Sequence, residues 1–150
     1  AIWPLMAAPP AMDRDIRKFE EIGTHPAANV LAISEALMFH AGLGGERKAA
    51  RLRWLRDRWA KRLLQSERMR LHTSLDPRYS CAIGCVQIEG IDTTALQQHL
   101  WNKHRILTVG IKHAQFEGLR VTASVYTTCD EVDCFAAAME NVAQHGLPAA

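Results

Sequence analysis

At 150 residues the chain is long enough for one hydrophobic core, and its 48% hydrophobic and 23% charged side chains are those of an ordinary globular domain. No run approaches the roughly 18 consecutive apolar residues of a membrane helix, and the apolar, proline-rich opening 1–11 lacks the basic leader and the initiator Met of a signal peptide. The formal net charge of +2 excludes a strongly polycationic or polyanionic protein, but residues 46–70 alone carry ten basic side chains against three acids.

Taken in chain order, residues 1–24 read as an extended lead-in, because Pro4, Pro9 and Pro10 oppose helix. The bulky Ile2, Trp3, Leu5 and Met6 so early in the chain suggest the inside of a longer protein and a surface made for self-association. Pro26 suits the first turn of a helix over Ala27 to His40, in which Val30, Leu31, Ser34, Leu37 and Met38 are spaced for one buried side. Gly42, Gly44 and Gly45 stop it, and a basic helix follows over about 46–68. Its apolar stripe is Leu52, Leu55, Trp59 and Leu63. The arginines and lysines around that stripe either form a solvated helix face or, as a rival, bind nucleic acid by displacing its counterions.

Ser80 to Ile88 reads as a strand, Asp92 as the cap of a helix with Leu96 and Leu100 inward, and Ile106 to Val109 and Leu119 to Val125 as two more strands. Thr128 and Glu131 have the capping-box spacing, and the helix they open presents Val132, Phe135, Ala136, Met139 and Val142 on one side. The sum is an α/β arrangement, more closely an α+β small domain: a small, mostly antiparallel sheet covered by helices, with 25–150 as one domain. Cys81 and Cys85, four apart in the expected strand, point to one face and fill core. Cys129 and Cys134 likewise lack zinc-knuckle spacing, so no metal site is assigned. Four cysteines in a chain of this size do not require disulfides, which favours a reducing, cytoplasmic setting, although an export signal would sit on any missing N-terminal part.

Two stretches carry chemistry. The first is Phe19-Glu20-Glu21-Ile22-Gly23-Thr24, just before the first helix. The second is Arg120-Val121-Thr122-Ala123-Ser124-Val125-Tyr126-Thr127-Thr128, followed by Asp130-Glu131-Val132-Asp133. In this order they resemble the motifs of the class V aminotransferases, pyridoxal-phosphate enzymes of fold type I. The wording around Gly-Thr-His-Pro-Ala and Val-Tyr-Thr-Thr is most similar to the isopenicillin N epimerase-like branch. The resemblance covers nearly the whole chain and implies the C-terminal small domain of such an enzyme, without its large domain.

It further implies that Arg120 takes the substrate's α-carboxylate through its bidentate fork. It also implies that Thr24, with Gly23, meets a phosphate oxygen of pyridoxal phosphate bound by the partner subunit of a homodimer. The alternatives are a helix-capping Thr24 and an Arg120 that is an edge residue or a paired structural charge. His113, on the loop before Arg120, either acts near the substrate or is exposed to solvent without a role. That loop has no cysteine, which disfavours desulfurase chemistry. Thr122 and Thr127 replace the family's usual Ser and Asn. Cofactor chemistry needs a Schiff-base lysine, and none of Lys18, Lys48, Lys61, Lys103 and Lys112 has the family context. The chain alone is therefore expected to be inactive, to retain no cofactor and to contain no catalytic residue. The complete enzyme acts at Cα of an amino acid or amine.

Overall fold

The computed structural model describes residues 9–20, 23–24 and 26–148. Ile2, Trp3, Leu5 and Met6, and Glu21, Ile22 and His25 of the first motif, lie outside them. The chain divides into two units, one ending at Leu43 and one beginning at Gly44, so the first helix belongs with the lead-in and not with the sheet.

The N-terminal unit is less extended than the prolines suggested. It holds two short 3-10 turns, Pro10–Met12 and Ile16–Phe19, the second capped by the Asp15 carboxylate, which accepts the Arg17 N–H at 3.0 Å. Helix α1 follows at Ala27–Leu43, and here the expected one-sided burial fails. Val30, Leu31, Ile33, Leu37, Met38 and Phe39 are all exposed, and at 100° per residue they point around the whole circumference. The spacing of three and four fitted α1 only because nearly every position is apolar, so any stripe can be drawn on it.

Helix α2, Gly45–Leu63, opens the C-terminal unit after Gly44, whose φ of 79° a β-carbon would strain. It is shorter than expected because the chain turns at Gln65 and Ser66, whose N–H groups donate to Arg62 O and Leu63 O. Next come strands β1 (Met69–Leu71) and β2 (Ile83–Ile88), helix α3 (Thr93–His104), strands β3 (Val109–Lys112) and β4 (Glu117–Thr122), and helix α4 (Cys129–His145). All strand pairs are antiparallel, in the order β1-β2-β4-β3. The unit is thus a small α+β domain, but its helices share one face of the sheet. Trp59 of α2 lies over Gly84 of β2, and Gln97 of α3 over Gly110 of β3, on the face that also carries Leu119 and Val121. The opposite face, with Ile83, Cys85, Gln87, Val109, Ile111, Arg120 and Thr122, has no helix of this unit packed on it.

The core is Leu55, Trp59 and Leu63 of α2, Val86 and Ile88 of β2, Leu96 and Leu100 of α3, Leu119 of β4, and Val132, Phe135, Met139 and Val142 of α4. The expected stripes of α2 and α4 supply most of it, with Leu52 only half-buried. Thr128 and Glu131 form the capping box, Oε2 accepting the Thr128 N–H at 2.8 Å and the Thr128 hydroxyl accepting the Glu131 N–H at 3.2 Å. Asp92 caps α3 by accepting the Ala95 N–H at 2.8 Å.

All three expected strands shift: Ser80 to Ile88 narrows to Ile83–Ile88, Leu119 to Val125 becomes Glu117–Thr122, and Ile106 to Val109 becomes Val109–Lys112. Residues 106–108 are irregular and the strand starts at Val109, because the Gln97 side chain occupies the sheet edge there: its amide donates to Thr108 O at 3.0 Å and its oxygen accepts the Gly110 N–H at 3.1 Å. A side chain thereby takes the place of a neighbouring strand and blunts the edge. Cys81 precedes β2 instead of sharing it, so the two cysteines do not line one face. Cys85 is buried, but on the side away from the helices.

Candidate substrate face

Arg120 lies in β4 between Cys85 of β2 and Val109 of β3, its partners in register, so all three side chains stand on the uncovered face. Gly118, two residues earlier, lets β2 approach closely, since a β-carbon there would sit 2.7 Å from Val86 O and 3.1 Å from Cys85 Sγ. Cys85 is nonetheless 8% exposed, and burial pushes its thiol pKa up, which keeps it protonated beside Arg120. The Arg120 side chain is exposed and makes no hydrogen bond or ion pair among the described residues.

Arg120 shares that lack of a side-chain bond with Arg47 and with Arg105, which lies over the Trp101 ring, whereas most arginines of the unit are engaged. Arg58 and Arg62 make paired 2.7 Å hydrogen bonds to Asp133 and Glu140, clamping α2 to α4, and the Arg58 guanidinium holds the Asp133 carboxyl below its ordinary pKa. Arg51 donates to Thr127 O at 3.1 Å, and Arg53 to Ser80 O at 3.3 Å and Pro77 O at 3.2 Å. Arg56 is only 1% exposed and bonds Asp57, Ser80 and Leu75 O. The basic run of α2 is therefore not a plain solvated face: much of it is spent on the domain's own carboxylates and carbonyls. Arg120 is a guanidinium fork left open, on a surface where no acid is paired with it.

His113 closes the β3–β4 connection, its N–H donating to Phe116 O at 2.9 Å. Its Nδ1 accepts the Gln115 N–H at 3.2 Å, which places the proton of the neutral ring on Nε2. The ring packs on Phe116, centroids 5.4 Å apart, and Phe116 packs in turn on His72, whose Nε2 lies 2.8 Å from Gln87 Oε1. Phe116 is four positions before Arg120, roughly 13 Å along an extended chain, so His113 belongs to an aromatic cluster farther along the face. Sequence reasoning missed Cys85, Val109, His72 and Gln87 as neighbours on this face, since only cross-strand register brings them there.

Gly23 and Thr24 lie in the N-terminal unit, before α1. Gly23 has φ 89°, and the exposed Thr24 hydroxyl has no partner among the described residues. Of the lysines, Lys18 donates to Asp13 O, Lys61 pairs with Asp57, and Lys112 pairs with Asp92 at 2.8 Å. Among the described residues no group of His, Cys, Asp and Glu has metal-site geometry, and no single helix is long and apolar enough to cross a membrane.

No protein-family model matches the chain. It is 33% identical over 139 residues, 88% of its length, to an isopenicillin N epimerase of Streptomyces clavuligerus, and covers 35% of that protein. It is 30% identical over 130 residues, 86% of its length, to an isopenicillin N epimerase of Amycolatopsis lactamdurans, and covers 33% of that one. The chain thus spans about a third of the length of these relatives, and the similarity takes in nearly all of its own.

Proposed function

We propose that this chain is the C-terminal portion of a pyridoxal-phosphate enzyme of the class V aminotransferase family, in its isopenicillin N epimerase-like branch, acting at Cα of an amino acid or amine. The observation that carries this is Arg120, an unpaired guanidinium on a bare sheet face, within a chain whose likeness to two epimerases runs over 86% or more of its length.

In that enzyme Arg120 binds the substrate α-carboxylate bidentately. This fixes the orientation of Cα and its proton relative to the cofactor ring. Val109 and the protonated Cys85 flank it in register and carry no charge, so the guanidinium is left uncompensated for an anion. Thr24 donates its hydroxyl to a phosphate oxygen of the cofactor held by the partner subunit, with Gly23 allowing the close approach. Pyridoxal phosphate, when bound, supplies the electron sink for the pair left at Cα. The lysine that holds it belongs to a large domain outside this sequence. The all-round apolar α1 is a helix to be enclosed by that domain and the partner subunit. Transamination, racemisation or epimerisation all follow from the same placement of Cα.

Titrating pyridoxal phosphate into the purified chain, then reducing with borohydride and mapping the lysines by mass spectrometry, tests the division of labour. The expected result is no saturable visible band and no lysine labelled in preference to the rest. A single lysine labelled to stoichiometry would place the cofactor's attachment inside this chain and overturn that part of the proposal.

A further inference from the structure

A cavity lies on the helix side of the sheet, away from Arg120. It has a volume of about 500 Å³ and sits between the segment leaving α3, the end of β4 and the start of α4. Its walls are largely apolar, with Ile106, Val121, Val132 and Phe135 among them. Leu107 and Tyr126, 79% and 84% exposed, stand on the two irregular segments that line it. Its size is that of a small-molecule site.

Two polar atoms in its lining residues have no partner. Trp59 Nε1 and Thr108 Oγ1 are each buried and unbonded, in residues only 1% and 4% exposed. A buried unpaired donor costs free energy, so two beside one cavity call for a common explanation. The indole N–H can only donate and the hydroxyl can do either, so together they suit an acceptor oxygen. Of the charged lining residues, Arg105 and Glu131 have opposite signs, which selects against an ion of either charge.

We propose that this cavity binds a small, uncharged, chiefly apolar molecule carrying a carbonyl oxygen, which accepts hydrogen bonds from Trp59 Nε1 and Thr108 Oγ1. Both donors are closed to solvent in the free chain, and the molecule reaches them by displacing the segments that carry the exposed Leu107 and Tyr126. The site is independent of the carboxylate face and holds whether or not the chain comes from an epimerase-like enzyme.

Acetophenone and its carbonyl-free counterpart ethylbenzene are suitable probes, titrated into the full 150-residue chain while the indole N–H resonances are followed by NMR. Acetophenone is expected to shift the Trp59 resonance, assigned with Trp59→Phe, and to bind about fivefold more tightly than ethylbenzene, as one or two added hydrogen bonds allow. Thr108→Val keeps the shape and removes the hydroxyl, so it should fold normally, unfold at a slightly higher temperature, and lose most of the preference for the ketone. Failure of both probes to bind, equal binding of the two, or a preference unchanged in Thr108→Val would each overturn the proposal.

Discussion

Replacing Trp59 with alanine is expected to destabilise the C-terminal unit by about 3–5 kcal/mol, a large part of the roughly 5–15 kcal/mol that holds a domain together. The ring is 1% exposed and meets Phe135 edge to face, centroids 5.6 Å apart at 89°. It also lies over Gly84, where even a β-carbon would come within 2.6 Å of Cζ2. The indole therefore fills space that a strand side chain normally occupies. Once it is removed, Gly84 has nothing to collapse into the void, which puts the cost toward the upper end of the range. Trp59→Phe should cost much less, since Nε1 forms no hydrogen bond to lose. Urea unfolding followed by circular dichroism measures both. A loss for the alanine variant below about 1 kcal/mol would mean that the α2–β2 contact does not organise the core.

Arg120→Gln is expected to do the opposite: leave stability within about 0.5 kcal/mol of wild type, yet weaken carboxylate substrates of the complete enzyme by roughly 30- to 150-fold, as the loss of a charged, bidentate contact of about 2–3 kcal/mol requires. The stability result follows from Arg120 having no partner among the described residues, so no group is left unsatisfied. Arg120→Lys keeps the charge but not the planar fork and should recover only a minor part of the affinity. Comparing KM for an amino acid and for the amine without its carboxylate, in both variants, separates this role from a general electrostatic one. Equal losses for acid and amine would remove Arg120 from the carboxylate site.

The parts of this structure that were legible in the sequence are those set by local chemistry with one solution. The Thr128 and Glu131 capping box, the Asp92 cap, and the stripes of α2 and α4 contrast apolar with polar positions strongly enough to fix a face. α1 misled because it lacks that contrast: with apolar residues on every side, periodicity cannot tell which side is covered. Met69–Leu71 went unseen because three residues are too few for alternation to register, and only pairing with Val86 to Ile88 makes them a strand. The start of β3 was misplaced because a glutamine from another helix caps its edge, a long-range event that no local pattern announces. Arg120 was legible through the wording of its motif alone. The company of Cys85 and Val109 comes from cross-strand register, which no local pattern announces.

The central claim is that this chain is one part of a larger cofactor enzyme, and native mass spectrometry of the natural protein tests it most directly. The account predicts that residues 44–148 are recovered within a polypeptide well above 16.8 kDa, or in a stable complex with a second chain, and that the species carries the added mass of pyridoxal phosphate. A free species of 16.8 kDa with neither partner nor cofactor would contradict it.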